Sequence, residues 1–157
     1  MNSLNVFLIP YTISNLAALG LLWLCWVKPR VGLTVFGIIF IPAGIFNFYS
    51  AIQSPEVYQG FATGVLFDFY ARFIRGFFKE HASVLVKLIA SGQIFAGILL
   101  FQQNRALRLI GTGGGILFLL SIAPLGTGSA FPATLIMAVA LFIGYKKSIA
   151  TALEKNT

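Results

Sequence analysis

The sequence has little of the chemistry on which most soluble proteins and enzymes depend. Its 157 residues include one cysteine, one histidine and four carboxylates, and charged residues make up 10% of the chain. Soluble globular domains carry about 25% charged residues, so the composition excludes that class. Disorder is excluded as well, because disordered chains combine low hydrophobicity with high net charge, whereas 58% of this chain is hydrophobic.

The scarcity of reactive side chains also limits the sites that the chain could build. With Cys25 alone there is no internal disulfide and no cysteine cage for zinc or an iron–sulfur cluster. With His81 alone, a haem site or a multi-histidine metal site is not expected. The glycine-rich stretch 111–115 lacks the Lys-Ser/Thr ending of a phosphate-binding loop. We therefore predict no catalytic residue and no metal site.

Long apolar runs are abundant, and a membrane-spanning helix needs about 20 such residues. The sequence predicts a single all-α integral membrane domain over residues 1–157, with five spans at about 6–27, 31–52, 83–101, 107–123 and 131–145. The last two runs are short, so a shallow hairpin is an alternative to two full crossings.

Basic residues fall in alternate connections between the apolar runs, and this pattern predicts the orientation. One side of the membrane receives Lys28, Arg30, Arg105, Arg108, Lys146, Lys147 and Lys155. Loops rich in Lys and Arg remain in the cytoplasm, so we expect a bacterial inner-membrane protein with its N-terminus outside and its C-terminus inside. The formal charge of +7 then reflects topology and anionic lipid headgroups, and not nucleic acid.

An amphipathic segment at 57–80 separates the second and third spans. Its charged face is Asp68, Arg72, Arg75 and Lys79, and its apolar face is Leu66, Tyr70, Phe73 and Phe77. Basic residues opposite aromatic ones are typical of a helix in the headgroup plane, so we predict an interfacial helix. We expect Arg72, Arg75 and Lys79 to bind anionic lipid or a partner protein.

A few other residues are candidates for binding or packing. Gln93 could bind a carbonyl group, or it could form an interhelical hydrogen bond. His81 could relay protons, and Tyr70 and Phe77 could border a groove for an isoprenoid tail; membrane anchoring explains all three as well. The spacing of Gly111 and Gly115 favours close helix packing.

Residues 31–147 resemble the DoxX-like family of small bacterial membrane proteins. The resemblance is carried by FNFYSAIQSPEVYQGFA, GQIFAGILLFQQNRALRLIGTGGGILFLLSIAPL and FPATLIMAVALFIGY. It implies a four-helix bundle, to which the helix at 6–27 is an addition. In the third span, Gln93 replaces the acid that the family also uses.

The resemblance implies a membrane subunit associated with sulfur, quinone or oxidative-stress chemistry. We accordingly expect a non-catalytic subunit or scaffold that lies in a lipid bilayer and docks a redox protein. A homo-oligomer is a further candidate assembly. The chain is not expected to be an enzyme on its own. No resident cofactor is predicted, and a quinone is the one candidate. The alternatives are a small-solute carrier or channel and a membrane subunit of a quinone-linked oxidoreductase.

Overall fold

The computed structural model describes residues 3–154 of the chain, and the side chains of residues 8–151. Its α-helices are α1 (Ser3–Val27), α2 (Pro29–Gln53), α3 (Asp68–Phe73), α4 (Lys79–Leu100), α5 (Arg105–Ile122) and α6 (Ala133–Glu154). Two 3-10 segments, Pro55–Thr63 and Ala123–Ser129, and one π-helical segment, Ile74–Phe78, complete the regular structure of the described residues. The prediction of an all-α protein is confirmed.

Five helical stretches are long and apolar enough to cross a membrane: Leu8–Val27, Pro29–Gln53, Asp68–Leu100, Arg105–Ser129 and Ala133–Thr151. The prediction of a multi-pass membrane protein is therefore confirmed at this level. The last two stretches, of 25 and 19 residues, are longer than the sequence indicated. The fourth stretch is longer because the 3-10 segment Ala123–Ser129 continues it. The fifth stretch extends beyond Lys146 and Lys147 because a helix does not have to end where its apolar run ends.

Four helices form a closed ring. Helix α2 packs against α4, α4 against α5, α5 against α6, and α6 returns to α2, while α1 lies outside the ring against α6 and α2. The shared core includes Phe36, Phe40, Leu119 and Leu141. Helices α2 and α4 approach closely at Gly37 and Gly97, since a Cβ atom added at Gly37 would lie only 2.9 Å from the carbonyl oxygen of Gly97. Small residues allow helix backbones to approach in this way in membranes.

The basic connections meet at one end of the bundle. The Lys147 ammonium donates a 2.7 Å hydrogen bond to the carbonyl of Trp26 and lies 4.0 Å from the centroid of the Trp26 ring. This contact joins the C-terminal end of α1 to the C-terminal half of α6. Arg108, near the start of α5, donates to the carbonyl of Gln102. We call this the basic end; Lys155, which was assigned to the same side, lies outside the described residues.

The segment 57–80 differs from the single interfacial helix that was predicted. It consists of 3-10 turns to Thr63, an irregular stretch, the short helix α3, and a π-helical segment that continues into α4. The helix is interrupted at Gly76, whose φ of −101° and ψ of −109° are not helical. Glycine accepts such a backbone without a steric penalty, so the amphipathic pattern is split at this residue instead of forming one straight surface helix.

Candidate functional site: a cavity between the helices

A cavity of about 530 Å³ lies at the end of the bundle opposite to the basic end, between α2, α4 and α5. We call it the aromatic cavity because six aromatic rings line it: Tyr58, Phe61, Tyr70, Phe73, Phe78 and Phe118. The polar residues in its wall are Asn47, Gln93, Ser121 and Ser129, and no lining residue carries a charge. Apolar walls with a few convergent polar groups are typical of small-molecule sites.

A short chain of polar side chains forms one wall of the aromatic cavity. The Asn47 amide donates to the side-chain oxygen of Gln93 at 3.3 Å, which links α2 to α4. The Tyr58 hydroxyl lies 3.1 Å from the Asn47 carbonyl and 3.3 Å from its side-chain oxygen. Burial raises the pKa of Tyr58 above its usual value of 10.0. The hydroxyl is therefore protonated at neutral pH and acts as the hydrogen-bond donor to Asn47.

Gln93 keeps unused hydrogen-bonding capacity. Its side chain is only 4% exposed, and its single side-chain hydrogen bond among the described residues uses the oxygen as acceptor. The amide N–H groups therefore have no protein partner, although the residue lines the cavity. An acceptor atom placed in the cavity beside Gln93 would therefore find free N–H donors with which to form a hydrogen bond.

The segment α3 and the π-helical turns that follow it close the aromatic cavity from one side. The Tyr70 hydroxyl donates to the carbonyl of Ser121 on α5, and the backbone N–H of Leu66 donates to the carbonyl of Pro124 at 2.9 Å. These bonds attach the segment to α5 and to the 3-10 turns after it. The wall that contains Tyr70 is therefore held against α5 and the 3-10 turns that follow it.

The π-helical turns change which aromatic residues face the cavity. In a regular α-helix, Phe77 would lie on the same face as Tyr70 and Phe73, as was predicted. A π-helix has more residues per turn, and Phe78 lines the cavity instead. Phe77 is 56% exposed and stacks on His81 with the ring centroids 4.5 Å apart.

A second cavity, of about 620 Å³, lies beside the first, between α1, α2, α5 and α6. The two cavities share five lining residues: Gln93, Phe118, Ile122, Gly128 and Ser129. Gln93 is the buried amide common to both. The side-chain oxygen of Thr134, which also lines the second cavity, is buried and has no hydrogen-bond partner among the described residues.

The candidate binding residues from the sequence do not all meet. Gln93 and Tyr70 line the same cavity, whereas Phe77 and His81 lie outside its wall. His81 is exposed, and its Nδ1 lies 2.9 Å from the Phe77 carbonyl oxygen. No role was predicted for Asn47 or Tyr58, although a polar residue inside an apolar run is the signal that could have pointed to Asn47.

The predicted basic and glycine positions are also placed by the structure. Arg72, Arg75 and Lys79 are exposed, on the segment whose aromatic residues line the cavity. Gly111 faces α4, where a Cβ would lie 2.9 Å from the Ala96 carbonyl oxygen, and Gly115 faces α2 and α6. The two glycines therefore serve different helix contacts.

The described residues contain no group of three or more His, Cys, Asp or Glu side chains that could hold a metal ion. Cys25 is fully buried, and its Sγ would lie 2.5 Å from a Cβ added at Gly32, so it fills the contact between α1 and α2 as a small apolar side chain does. No protein-family model, no curated protein and no solved structure matches the chain.

Proposed function

We propose that the chain is a non-catalytic subunit of a bacterial cell membrane that holds an uncharged, lipid-soluble molecule in the aromatic cavity. The observation that carries the proposal is the combination of six aromatic rings with one buried, partly unpaired amide in about 530 Å³. Cavities of roughly 300–1,000 Å³ accommodate small ligands. The apolar walls favour the body of such a molecule, and Gln93 favours an acceptor atom on it.

A quinone has the chemistry that this cavity favours. Its ring can stack on aromatic side chains, its carbonyl oxygen can accept from the Gln93 amide, and its tail is soluble in the bilayer. The resemblance of residues 31–147 to DoxX-like proteins supports the same choice and suggests a role in sulfur or oxidative-stress chemistry. In this proposal the chain binds and orients the molecule, and a partner protein supplies the reaction.

The basic residues indicate where such a partner would dock. Arg72 and Arg75 are exposed on the same short segment that contributes Tyr70, Phe73 and Phe78 to the cavity wall. A redox protein with an acidic surface, bound at these residues, would therefore be separated from the cavity by one layer of aromatic side chains. Anionic lipid headgroups are the alternative partner for the same charges.

A small-solute carrier remains the second candidate, and the two adjacent cavities favour it. Because they share Gln93 and Phe118, a movement of the Phe118 ring would join them into one space. Selective flux of a neutral solute through the purified protein in vesicles would support this function over the first.

The proposed function is tested by the small molecules that leave the membrane with the protein. The wild type, purified in mild detergent and extracted with organic solvent, should release an apolar compound that is enriched over the bulk lipids, as measured by mass spectrometry. Phe78→Ala removes a cavity ring and should lower this enrichment. Phe77→Ala, a matched change to a ring outside the wall, should not. Equal release by both variants, or no enrichment in the wild type, would contradict the proposal.

The partner is tested in the same preparation. Reversal of Arg72, Arg75 and Lys79 to Glu should reduce the recovery of a co-purifying redox protein, whereas Lys at the two arginine positions should preserve it because the charge is kept. If charge reversal leaves recovery unchanged, the docking face lies elsewhere.

A further inference from the structure

We propose that the aromatic cavity is filled from the hydrocarbon of the bilayer, through an entrance between α4 and α5 whose lips are Gly92 and Gly114. The inference rests on the proposed function and adds a route to it. The route in turn defines the physical class of the ligand, which is an uncharged molecule dissolved in the membrane that carries a hydrogen-bond acceptor.

The entrance is formed by one face of each helix. The residues that line the cavity here are Leu85, Ile89 and Gly92 from α4, and Gly114, Leu117 and Ser121 from α5. Both rows have spacings of three and four residues, so each follows a single helix face. Ile89 is 46% exposed and Leu117 is 67% exposed, which means that these cavity-lining residues also reach the outer surface of the bundle. On a membrane-spanning helix, that apolar surface faces lipid.

Glycine at the two lips leaves the gap between the helices open. A Cβ atom added at Gly92 would meet no heavy atom within 4 Å, and one added at Gly114 would have only the Ala96 Cβ nearby, at 3.4 Å. Close packing therefore does not require glycine at these positions, as it does at Gly115. Glycine inside a helix is less stable than alanine, and an open entrance is a function that would account for this loss of stability.

The Gln93 amide lines the cavity next to this entrance. Gln93 follows Gly92 in the chain, is 4% exposed and has amide N–H groups without a protein partner among the described residues. A molecule that passes between the lips would meet this donor first. A charged ligand is disfavoured because no residue of the cavity wall carries a charge, and an uncompensated ion is expensive in apolar surroundings.

The alternative route would lead into the cavity from water at its loop end, but backbone hydrogen bonds between two loop segments close this end. The N–H of Leu66 donates to the Pro124 carbonyl at 2.9 Å, and the N–H of Thr127 donates to the Gly64 carbonyl at 3.3 Å. These bonds hold the stretch before α3 against the 3-10 turns that follow α5. Between α4 and α5, in contrast, no backbone hydrogen bond links the two helices among the described residues.

The test uses a long-chain alkyl benzophenone, whose ketone is both a hydrogen-bond acceptor and a photoreactive group. The probe is mixed into vesicles that contain the purified protein, and cross-links to cavity residues are followed against time by mass spectrometry. Gly92→Leu combined with Gly114→Leu should slow this labelling at least tenfold. Gly113→Leu is the matched control, because position 113 is exposed, lies outside the cavity wall and has no heavy atom within 4 Å of an added Cβ.

The outcomes separate the entrance from the proposed function. If the wild type labels the cavity and the double variant labels it at the same rate, the entrance is refuted while the site stands. If the wild type never labels cavity residues above the level of its other lipid-facing residues, both claims fail. Gln93→Leu should lower the final extent of labelling without changing the rate at which that extent is reached. An unchanged extent would refute the role of the Gln93 amide as the hydrogen-bond donor to the probe.

Discussion

Replacing Gly115 by leucine probes how closely the ring of helices is packed. A Cβ atom at this position would lie 2.7 Å from Cε2 of Phe40 on α2 and 3.0 Å from Cδ1 of Leu141 on α6. Phe40 and Leu141 are 2% and 0% exposed. Phe40 borders the second cavity and has space on that side, whereas Leu141 borders neither cavity, so the three further carbon atoms of a leucine side chain would have to displace α5 from α6.

The expected loss follows from two opposing effects. Overpacking a filled core costs typically about 1–3 kcal/mol, and the gain in helix propensity on removing a glycine offsets less than about 1 kcal/mol of it. For a chain of this length, 1 kcal/mol corresponds to roughly 2–4 °C in Tm. We therefore expect Gly115→Leu to unfold several degrees below the wild type.

The assay is thermal unfolding in one detergent, with two controls on the same helix. Gly113→Leu introduces the same side chain where an added Cβ meets no atom within 4 Å, so its Tm should equal or slightly exceed that of the wild type. Leu117→Ala truncates a side chain that is 67% exposed and should lower the Tm less than Gly115→Leu does. A neutral Gly115→Leu would refute the packing of α5 against α2 and α6.

Three further predictions concern topology, burial and exposure. Reporter fusions should read cytoplasmic after the basic connections, at Arg30, Arg108 and Thr157; a fusion at Gly128 should read external, and an external C-terminus would contradict the predicted orientation. Thr112→Val should raise the Tm, because it removes a buried hydroxyl that has no partner among the described residues at a cost of about 1–3 kcal/mol; a lower Tm would show that the hydroxyl is satisfied. In a Cys25→Ser background, Arg72→Cys should react with a water-soluble maleimide faster than Tyr70→Cys, because Arg72 is exposed whereas Tyr70 is half-buried and lines the cavity; equal rates would contradict this placement of Tyr70.

The helices could be predicted because their signal is local. Each apolar run is long enough to satisfy its own backbone hydrogen bonds in lipid, and the described helices α1, α2, α4 and α5 begin and end within about four residues of the predicted spans. The end of α6 was missed by more, since the helix continues beyond Tyr145 through Lys146 and Lys147, at which the apolar run ends.

The cavity could not be predicted from the sequence, because its wall depends on features that helical periodicity does not reveal. A helical wheel places Phe77 beside Phe73, but the π-helical turns and the backbone of Gly76 move Phe78 into the wall. The link between Asn47 and Gln93 joins residues 46 positions apart, so only the packing of α2 on α4 could show it. Gln93 itself was identifiable, because a buried amide inside an apolar run requires a partner.

The central claim is that the aromatic cavity binds an uncharged acceptor through Gln93, and the shift of Tm by the alkyl benzophenone tests it most directly. A ligand at 100 times its Kd stabilises the folded state by about 2.7 kcal/mol, so the wild type should unfold at a higher temperature as the probe concentration rises. Gln93→Leu should require a higher concentration for the same shift, by roughly twofold to tenfold for one lost hydrogen bond. Gln103→Leu, at an exposed position outside the cavity, should behave as the wild type does. Identical shifts in all three proteins would contradict the claim.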